Sequence, residues 1–246
     1  MPNGRSSVKV AAQAWDQPDE PLEVTRSRIH DGATDEQALI ARADGLLASF
    51  FSLFPYVTIP KLFSALEIGG GLGYIMEALN RWAARTGNPP KEIIGLDIAP
   101  SMIAKAKMRL AGRSTLDFMH YDGIHVPIQD SMLDFVYSVS CLQHIPKPFA
   151  FNLMLEMKRI LRPSGFAVFH VLGVKHIKNS VTRWSDEIRN QIEGNPTYWL
   201  HYYSAEELEC VLRDGTRFAH VDVRESGDSI FACAAPSRSM IPPNAD

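Results

Sequence analysis

The sequence has no run of roughly 20 apolar residues, so no membrane-spanning helix is expected. Cysteine is scarce, and Cys141, Cys210 and Cys233 lie far apart. Three such residues form neither a disulfide framework nor a metal-ligand spacing, so no metal is expected; they suit a reducing cytosol as small core residues. An excess of basic charge is also missing. Lys and Arg total 25 against 28 Asp and Glu, a formal net charge of -3, which leaves no electrostatic footprint for DNA or RNA. The opening MPNGRSSVKVAAQAW has no continuous apolar stretch of the kind a signal peptide needs. Together these absences predict a cytoplasmic protein without nucleic-acid or membrane partners.

What is present fits a globular chain of 246 residues, 46% hydrophobic and 22% charged, large enough for one sizeable core. Residues 1–33, with Pro18, Pro21 and several charges, show no sustained period and are expected to be partly disordered. At Thr34 the pattern changes. Thr34 and Gln37 have capping-box spacing, and Leu39, Ala43, Leu46, Leu47, Phe50, Phe51 and Phe54 follow at helical intervals up to Pro55. Segment 34–61 therefore reads as a helix that packs on the main core and also serves as a lid over a cleft.

From 62 to 235 the chain alternates. Strands are expected at Leu62–Ile68, Glu92–Ile98, Thr115–Tyr121, Leu133–Ser140 and Phe166–Leu172, with helices at Tyr74–Arg85, Ser101–Leu110 and Phe149–Leu161. Such alternation predicts parallel βαβ units with right-handed crossovers. Ser204 and Glu207 form a second capping box, opening a helix to about Arg213. FAHVDVRESGDSIFACAA then reads as two strands around a Ser-Gly-Asp turn, an antiparallel hairpin closing the sheet. Residues 174–203 interrupt the regularity and end in YWLHYY; 236–246 read as a loose tail.

The chemistry centres on ALEIGGGLGYIMEAL, residues 65–79, in which a strand turns on glycines into a helix. Gly69, Gly71 and Gly73 let a ligand approach backbone that a side chain would block. The spacing is wrong for a dinucleotide fingerprint, whose last small residue falls on Tyr74 or Met76, and no Gly-Lys-Ser/Thr is present for a triphosphate. Glu67 stands just before the glycines. A pyrophosphate disfavours a carboxylate there, whereas a partly cationic ligand is attracted by it; the plainer alternative is a carboxylate that accepts backbone N–H groups in the turn. Asp97, at the end of the second strand, can take both hydroxyls of a ribose. Ile98 and Met102 offer either apolar walls to an adenine ring or ordinary core packing. Asp122 follows the third strand, where it could accept from an adenine amino group, whereas Asp134 reads as a strand-entry residue without a ligand role.

Taken together, Glu67-x-Gly69-x-Gly71-x-Gly73, the strand-end Asp97, Asp122-Gly123, the strand LDFVYSVSCLQHI and the turn LRPSGF resemble the class I S-adenosylmethionine-dependent methyltransferase family over roughly 62–235. The resemblance implies a Rossmann-like three-layer α/β sandwich with a seven-stranded, mostly parallel sheet whose last strand is antiparallel. It implies S-adenosylmethionine as cofactor. Glu67 and the Gly69–Gly73 loop would hold its methionine end, Asp97 the ribose and Asp122 with Gly123 the adenine edge, with Ser140 beside the reactive end.

For the acceptor, the Asn/Asp-Pro-Pro-aromatic motif of nucleic-acid and some protein methyltransferases is missing after the fourth strand, where SVSCLQHIP stands; NPPK at 88–91 reads as a turn. A small-molecule acceptor methylated on oxygen or nitrogen is expected. His144, beyond the fourth strand, is the first candidate base, with a loop-capping histidine as the alternative. His201, among Tyr198, Trp199, Tyr202 and Tyr203, is the second. Arg26, Arg28 and His30 read as a solvated face, with contact to an anionic acceptor as the alternative. Two rivals remain: a non-catalytic cofactor-binding module, and a nicotinamide oxidoreductase, which the acid at 67 and the tyrosine at 74 disfavour.

Overall fold

The computed structural model describes residues 12, 14–30, 32–181, 184–193 and 200–237. Within them lie helices α1 (Leu22–Ile29) and α2 (Glu36–Leu53), then β1 (Ser64–Ile68), α3 (Tyr74–Arg85), β2 (Glu92–Asp97), α4 (Pro100–Arg109), β3 (Leu116–His120) and β4 (Leu133–Val139). A 3-10 turn (Leu142–His144) leads to α5 (Lys147–Ile160), β5 (Leu161–Leu172), α6 (Ile177–Ser180) and α7 (Trp184–Glu193). The chain ends in α8 (Ala205–Cys210), a π turn (Val211–Gly215), β6 (His220–Ser226) and β7 (Ser229–Ala235).

The strands form one seven-stranded sheet in the order β3-β2-β1-β4-β5-β7-β6. β1 to β5 pair in parallel, and β7 runs antiparallel between β5 and β6. Helices cover both faces. Leu39, Leu47 and Phe50 of α2 and Met76 and Leu79 of α3 join one apolar layer with Phe135 and Phe166 of the sheet. Leu153, Met154 and Met157 of α5 and Leu208 of α8 join the other with Leu66, Ile68 and Phe169. All five residues of β1 are buried, as a central strand covered on both faces requires. Inserting the hairpin at β5 lets β7 pair on both sides and leaves the short β6 as the edge.

The alternating segment follows the sequence pattern closely. The N-terminus does not. Residues 22–29 form a helix without hydrophobic periodicity because its anchors are polar. Arg28 pairs with Glu20, and Lys105 Nζ of α4 donates to Gln17 O (2.7 Å) and Thr25 Oγ1 (2.9 Å). The start of α2 also shifts. Asp35, rather than Thr34, is the N-cap, its carboxylate accepting from Ala38 N at 2.7 Å. Ser204 caps α8 as its spacing predicts, accepting from Glu207 N. Asp134 is structural, accepting from Ser64 N and Arg162. β5 starts five residues before the expected Phe166, because Leu161 already pairs with Leu133 across a bulge. Tyr198, Trp199 and most of the tail lie outside the described residues.

Candidate functional site

Among the described residues, a cavity of about 220 Å³ opens at the carboxyl ends of β1, β2 and β4, roofed by α2 and by residues 15–30. This is where ligands of open parallel sheets bind. Glu67, Gly69, Gly71, Asp97, Ile98, Met102, Gly123, Ser140 and His144 all line it. Gly73, Asp122 and His201 do not.

The glycine loop divides its labour. Gly71 has φ +52°, and a Cβ there would meet only Gly69 O, at 4.0 Å, so its backbone faces open space. Gly73 is the left-handed N-cap of α3 (φ +79°), where a Cβ would sit 2.7 Å from both Leu110 Cδ1 and Phe118 Cζ. Its smallness closes the helix on the sheet.

Glu67 is 2% exposed, and among the described residues its Oε2 has no hydrogen-bond partner, nor has the neighbouring Tyr137 hydroxyl. Its register neighbours are Gly95, over which Met76 and Phe118 pack too closely for a side chain, and Tyr137, whose hydroxyl lies nearby. Burial pushes the carboxyl well above its usual range; Tyr137 and the Met76 N–H pull it down, and the Asp97 charge adds to the rise. Asp97 clips the loop: Oδ2 accepts from Gly71 N and Oδ1 from Ala99 N, each at 3.0 Å. Burial raises its pKa too, against the Ala99, Gly71 and Ile98 N–H groups. Each Asp97 oxygen keeps a lone pair for a further donor. A buried acceptor lacking its donor, beside a second carboxyl, fits a ligand that brings an ammonium group and a diol, as S-adenosylmethionine does.

Asp122 is exposed and folds back on its own turn, accepting from Ile124 N (2.8 Å) and His125 N (2.7 Å). The cavity meets the neighbouring Gly123 and Tyr121 instead. Ser140 adopts φ +54° with its N–H donating to His170 Nδ1 (3.1 Å) and its Oγ 3.2 Å from the same atom. The His170 proton therefore sits on Nε2, 3.1 Å from Ser229 Oγ. Burial, with the Arg42 charge adding, lowers His170 to about 4 and keeps it neutral. His144 ends the 3-10 turn, its ring edge-on to Trp15 at 5.3 Å. His201 is half-buried, and burial with the Lys147 charge lowers its pKa. It reaches the site only indirectly, through its backbone N–H to Gln143 O (2.7 Å).

Sequence reasoning read α2 as a lid and weighed His30 as an acceptor contact, but it passed over Trp15, Ile29 and Arg42. Trp15, Ile29 and His30, together with Leu39, Arg42 and Leu46 of α2, line the cavity. A polar cluster holds this roof down. The Tyr74 hydroxyl donates to Glu36 Oε2 (2.8 Å) and accepts from Arg26 Nε (3.0 Å), and Arg26 also pairs with Glu36. Arg109 lies over the Tyr74 ring at 4.0 Å and bonds Glu36 and Glu77. Tyr74, a misfit for a dinucleotide fold, is thus the post on which the N-terminal segment is tethered. Arg28 is committed to Glu20. The α2 pattern was the available signal, since positions 39, 42, 43 and 46 share one helical face.

Comparison with known proteins agrees with this geometry. Residues 66–169 match the family described as "Methyltransferase domain". An "Uncharacterized methyltransferase" of Mycobacterium ulcerans (strain Agy99) is 28% identical over 170 residues, covering 69% of this chain and 56% of the relative. A "Malonyl-[acyl-carrier protein] O-methyltransferase" of Marinomonas sp. (strain MWYL1) is 31% identical over 112 residues, 44% of this chain and 37% of that one. The chain thus spans about half the length, or less, of these curated relatives. Among solved structures, a SAM-dependent methyltransferase from Methanosarcina mazei superposes with a TM-score of 0.54 at 21% identity, over 75% of this chain and 94% of that one.

Proposed function

We propose that this chain, whose residues 66–169 match the family described as "Methyltransferase domain", is a class I S-adenosylmethionine-dependent methyltransferase that transfers a methyl group to a small-molecule acceptor at oxygen or nitrogen. The observation that carries the proposal is the buried Glu67 Oε2, without a partner, in the wall of the cavity beside the glycine loop. A buried carboxyl oxygen without a donor is costly unless a ligand supplies one.

When bound, S-adenosylmethionine supplies an electrophilic methyl group on a sulfonium. Glu67 receives the ammonium group, Asp97 the ribose hydroxyls, and Ile98, Met102 and Gly123 border the adenine. Ser140, fixed by His170, borders the reactive end. Leu39, Ala43 and Leu46 of α2 act as the lid that keeps water out, and exclusion and alignment supply most of the acceleration for a reaction that disperses charge. His144 would take the proton that the acceptor releases and pass it to solvent. His201 contributes by bracing the Gln143 carbonyl one residue away. The Marinomonas relative's name, an O-methyltransferase, favours oxygen. A single lysine or arginine among the described lining residues supports a small acceptor rather than a nucleic acid.

Calorimetric titration with S-adenosylhomocysteine, with NAD as comparison, tests the cofactor. Micromolar binding of the first and none of the second is expected; the reverse overturns the reading. His144→Gln should then lower kcat by about 100-fold or more against any acceptor found by screening, with cofactor affinity unchanged. A protein that binds the cofactor but methylates no acceptor in a broad screen is a binding module instead.

A further inference from the structure

The cavity is divided by charge. Its two carboxyls, Glu67 and Asp97, both stand at the strand ends beside the glycine loop. Among the described residues its one lysine or arginine is Arg42, which comes from the roof. Arg42 borders the cavity together with Leu39, Ala43 and Leu46 of α2, at helical spacings that bring all four to it, and is itself exposed to solvent. Ala38 and Leu46 occupy its i-4 and i+4 positions, so no carboxylate of its own helix can neutralise it there.

Other arginines near the site are committed. Arg26, Arg81, Arg109 and Arg113 each hold Glu36, Glu77 or Asp44. Arg42 has no carboxylate partner among the described residues. Its charge is felt inside, by His170 beneath Ser140. The surroundings are otherwise apolar or aromatic: Trp15, Ile29, Ile145 and Phe149. Arg42 is exposed, so its guanidinium is solvated in the free protein; at the edge of a largely apolar cavity it matches a carboxylate on a mostly apolar molecule, because its planar fork pairs with that group in bidentate fashion.

We infer that Arg42 anchors the acceptor through a carboxylate, so that the substrates of this site are apolar carboxylic acids. The inference rests on the methyl-transfer reading of the cavity and narrows its substrate class. Arg42 is a specificity-determining residue here and takes no part in the bond changes. His30 and His144, which also line the cavity, add further donors near the same ligand.

The test uses the full chain, with octanoate and octanol as matched probes, titrated by calorimetry with and without saturating S-adenosylhomocysteine. The wild type should bind octanoate at least tenfold more tightly than octanol. R42Q should lose that preference, with octanol and S-adenosylhomocysteine affinities within about twofold of wild type, and R42K should keep part of it as a point charge. A wild type that binds the two probes equally, or that does not bind octanoate, overturns the inference. So does an R42Q protein, folded by its unchanged Tm, that retains the preference. R42Q that weakens S-adenosylhomocysteine instead assigns the guanidinium to the cofactor's own carboxylate and also overturns it. If the wild type ignores S-adenosylhomocysteine yet discriminates octanoate through Arg42, the anchor stands and the methyl-transfer reading is what fails.

Discussion

Asp97→Ala separates the two tasks that the geometry gives one carboxylate. In the free protein its oxygens satisfy the N–H groups of Gly71 and Ala99, both at 3.0 Å. Removing it leaves two donors without partners, each costing about 1–3 kcal/mol when buried. Part of that is offset, because the carboxyl is held in a buried place that raises its pKa. A net loss of about 2 kcal/mol is expected, and for a chain of this size that lowers Tm by roughly 4–8 °C. In the bound protein the same substitution removes a charged acceptor from the ribose hydroxyls, worth about 1.5–3 kcal/mol, or a roughly 10- to 150-fold rise in Kd.

The assay is calorimetric titration with S-adenosylhomocysteine beside thermal unfolding of the same preparation. Asp97→Asn is the useful companion. Its single carbonyl can satisfy only one of the two N–H groups, so about half the stability loss should remain. A lower Tm with unchanged Kd would show that Asp97 only clips the glycine loop, and the ribose assignment would be wrong. An unchanged Tm would refute the argument that the two N–H groups depend on it.

Glu67 makes binding depend on pH. Burial lifts its carboxyl above the ordinary 4.5, so the folded protein holds a proton where the unfolded chain has lost it. Its contribution to stability is present below the unfolded value and is lost as pH rises through the folded one. A cationic ligand reverses this by ionising the group. S-adenosylmethionine affinity should climb with pH and level off once free Glu67 ionises, with proton release visible in buffers of different ionisation enthalpy. Glu67→Gln should abolish Glu67's share of both effects; a flat profile in the wild type refutes the assignment. Gly73→Ala forces a side chain into φ +79° and onto Leu110 and Phe118, so a loss of about 2–4 kcal/mol is expected, measured by urea unfolding. Wild-type stability would show that helix and sheet can part there without penalty. Tyr74→Phe removes the hydroxyl between Arg26 and Glu36 and should speed limited proteolysis within residues 14–30; equal cleavage rates would mean the tether lies elsewhere.

The sheet and its floor were legible because they are written in local patterns. Buried parallel strands read as apolar runs, and Tyr74–Arg85 is bounded in the structure as the sequence pattern bounds it. The strand-end acids and glycines were legible for a related reason: the end of a parallel strand is one place in space, so position along the chain predicts position in the cavity. Asp122 shows the limit of that rule. One residue further along, Gly123 reaches the cavity, while the Asp122 carboxylate is captured by the N–H groups of its own turn. His201 fails for another reason, since it comes from residues after β5 whose path no periodicity describes.

The part of the roof before α2 was hidden because polar pairing carries no period. Residues 14–30 are fixed by Arg26, Arg28 and Lys105 reaching partners as many as 88 positions away, and a one-dimensional pattern cannot reveal such pairs. The same physics gives the roof a purpose. A loop that must meet an invariant cofactor can be built from glycines and strand ends. A wall that must choose among acceptors needs side chains from elements free to differ, and here those are α2 and the segment before it. Arg42 follows from that division. Exposed beside a largely apolar cavity, and without a carboxylate neighbour among the described residues, it is open to a partner that arrives from solution.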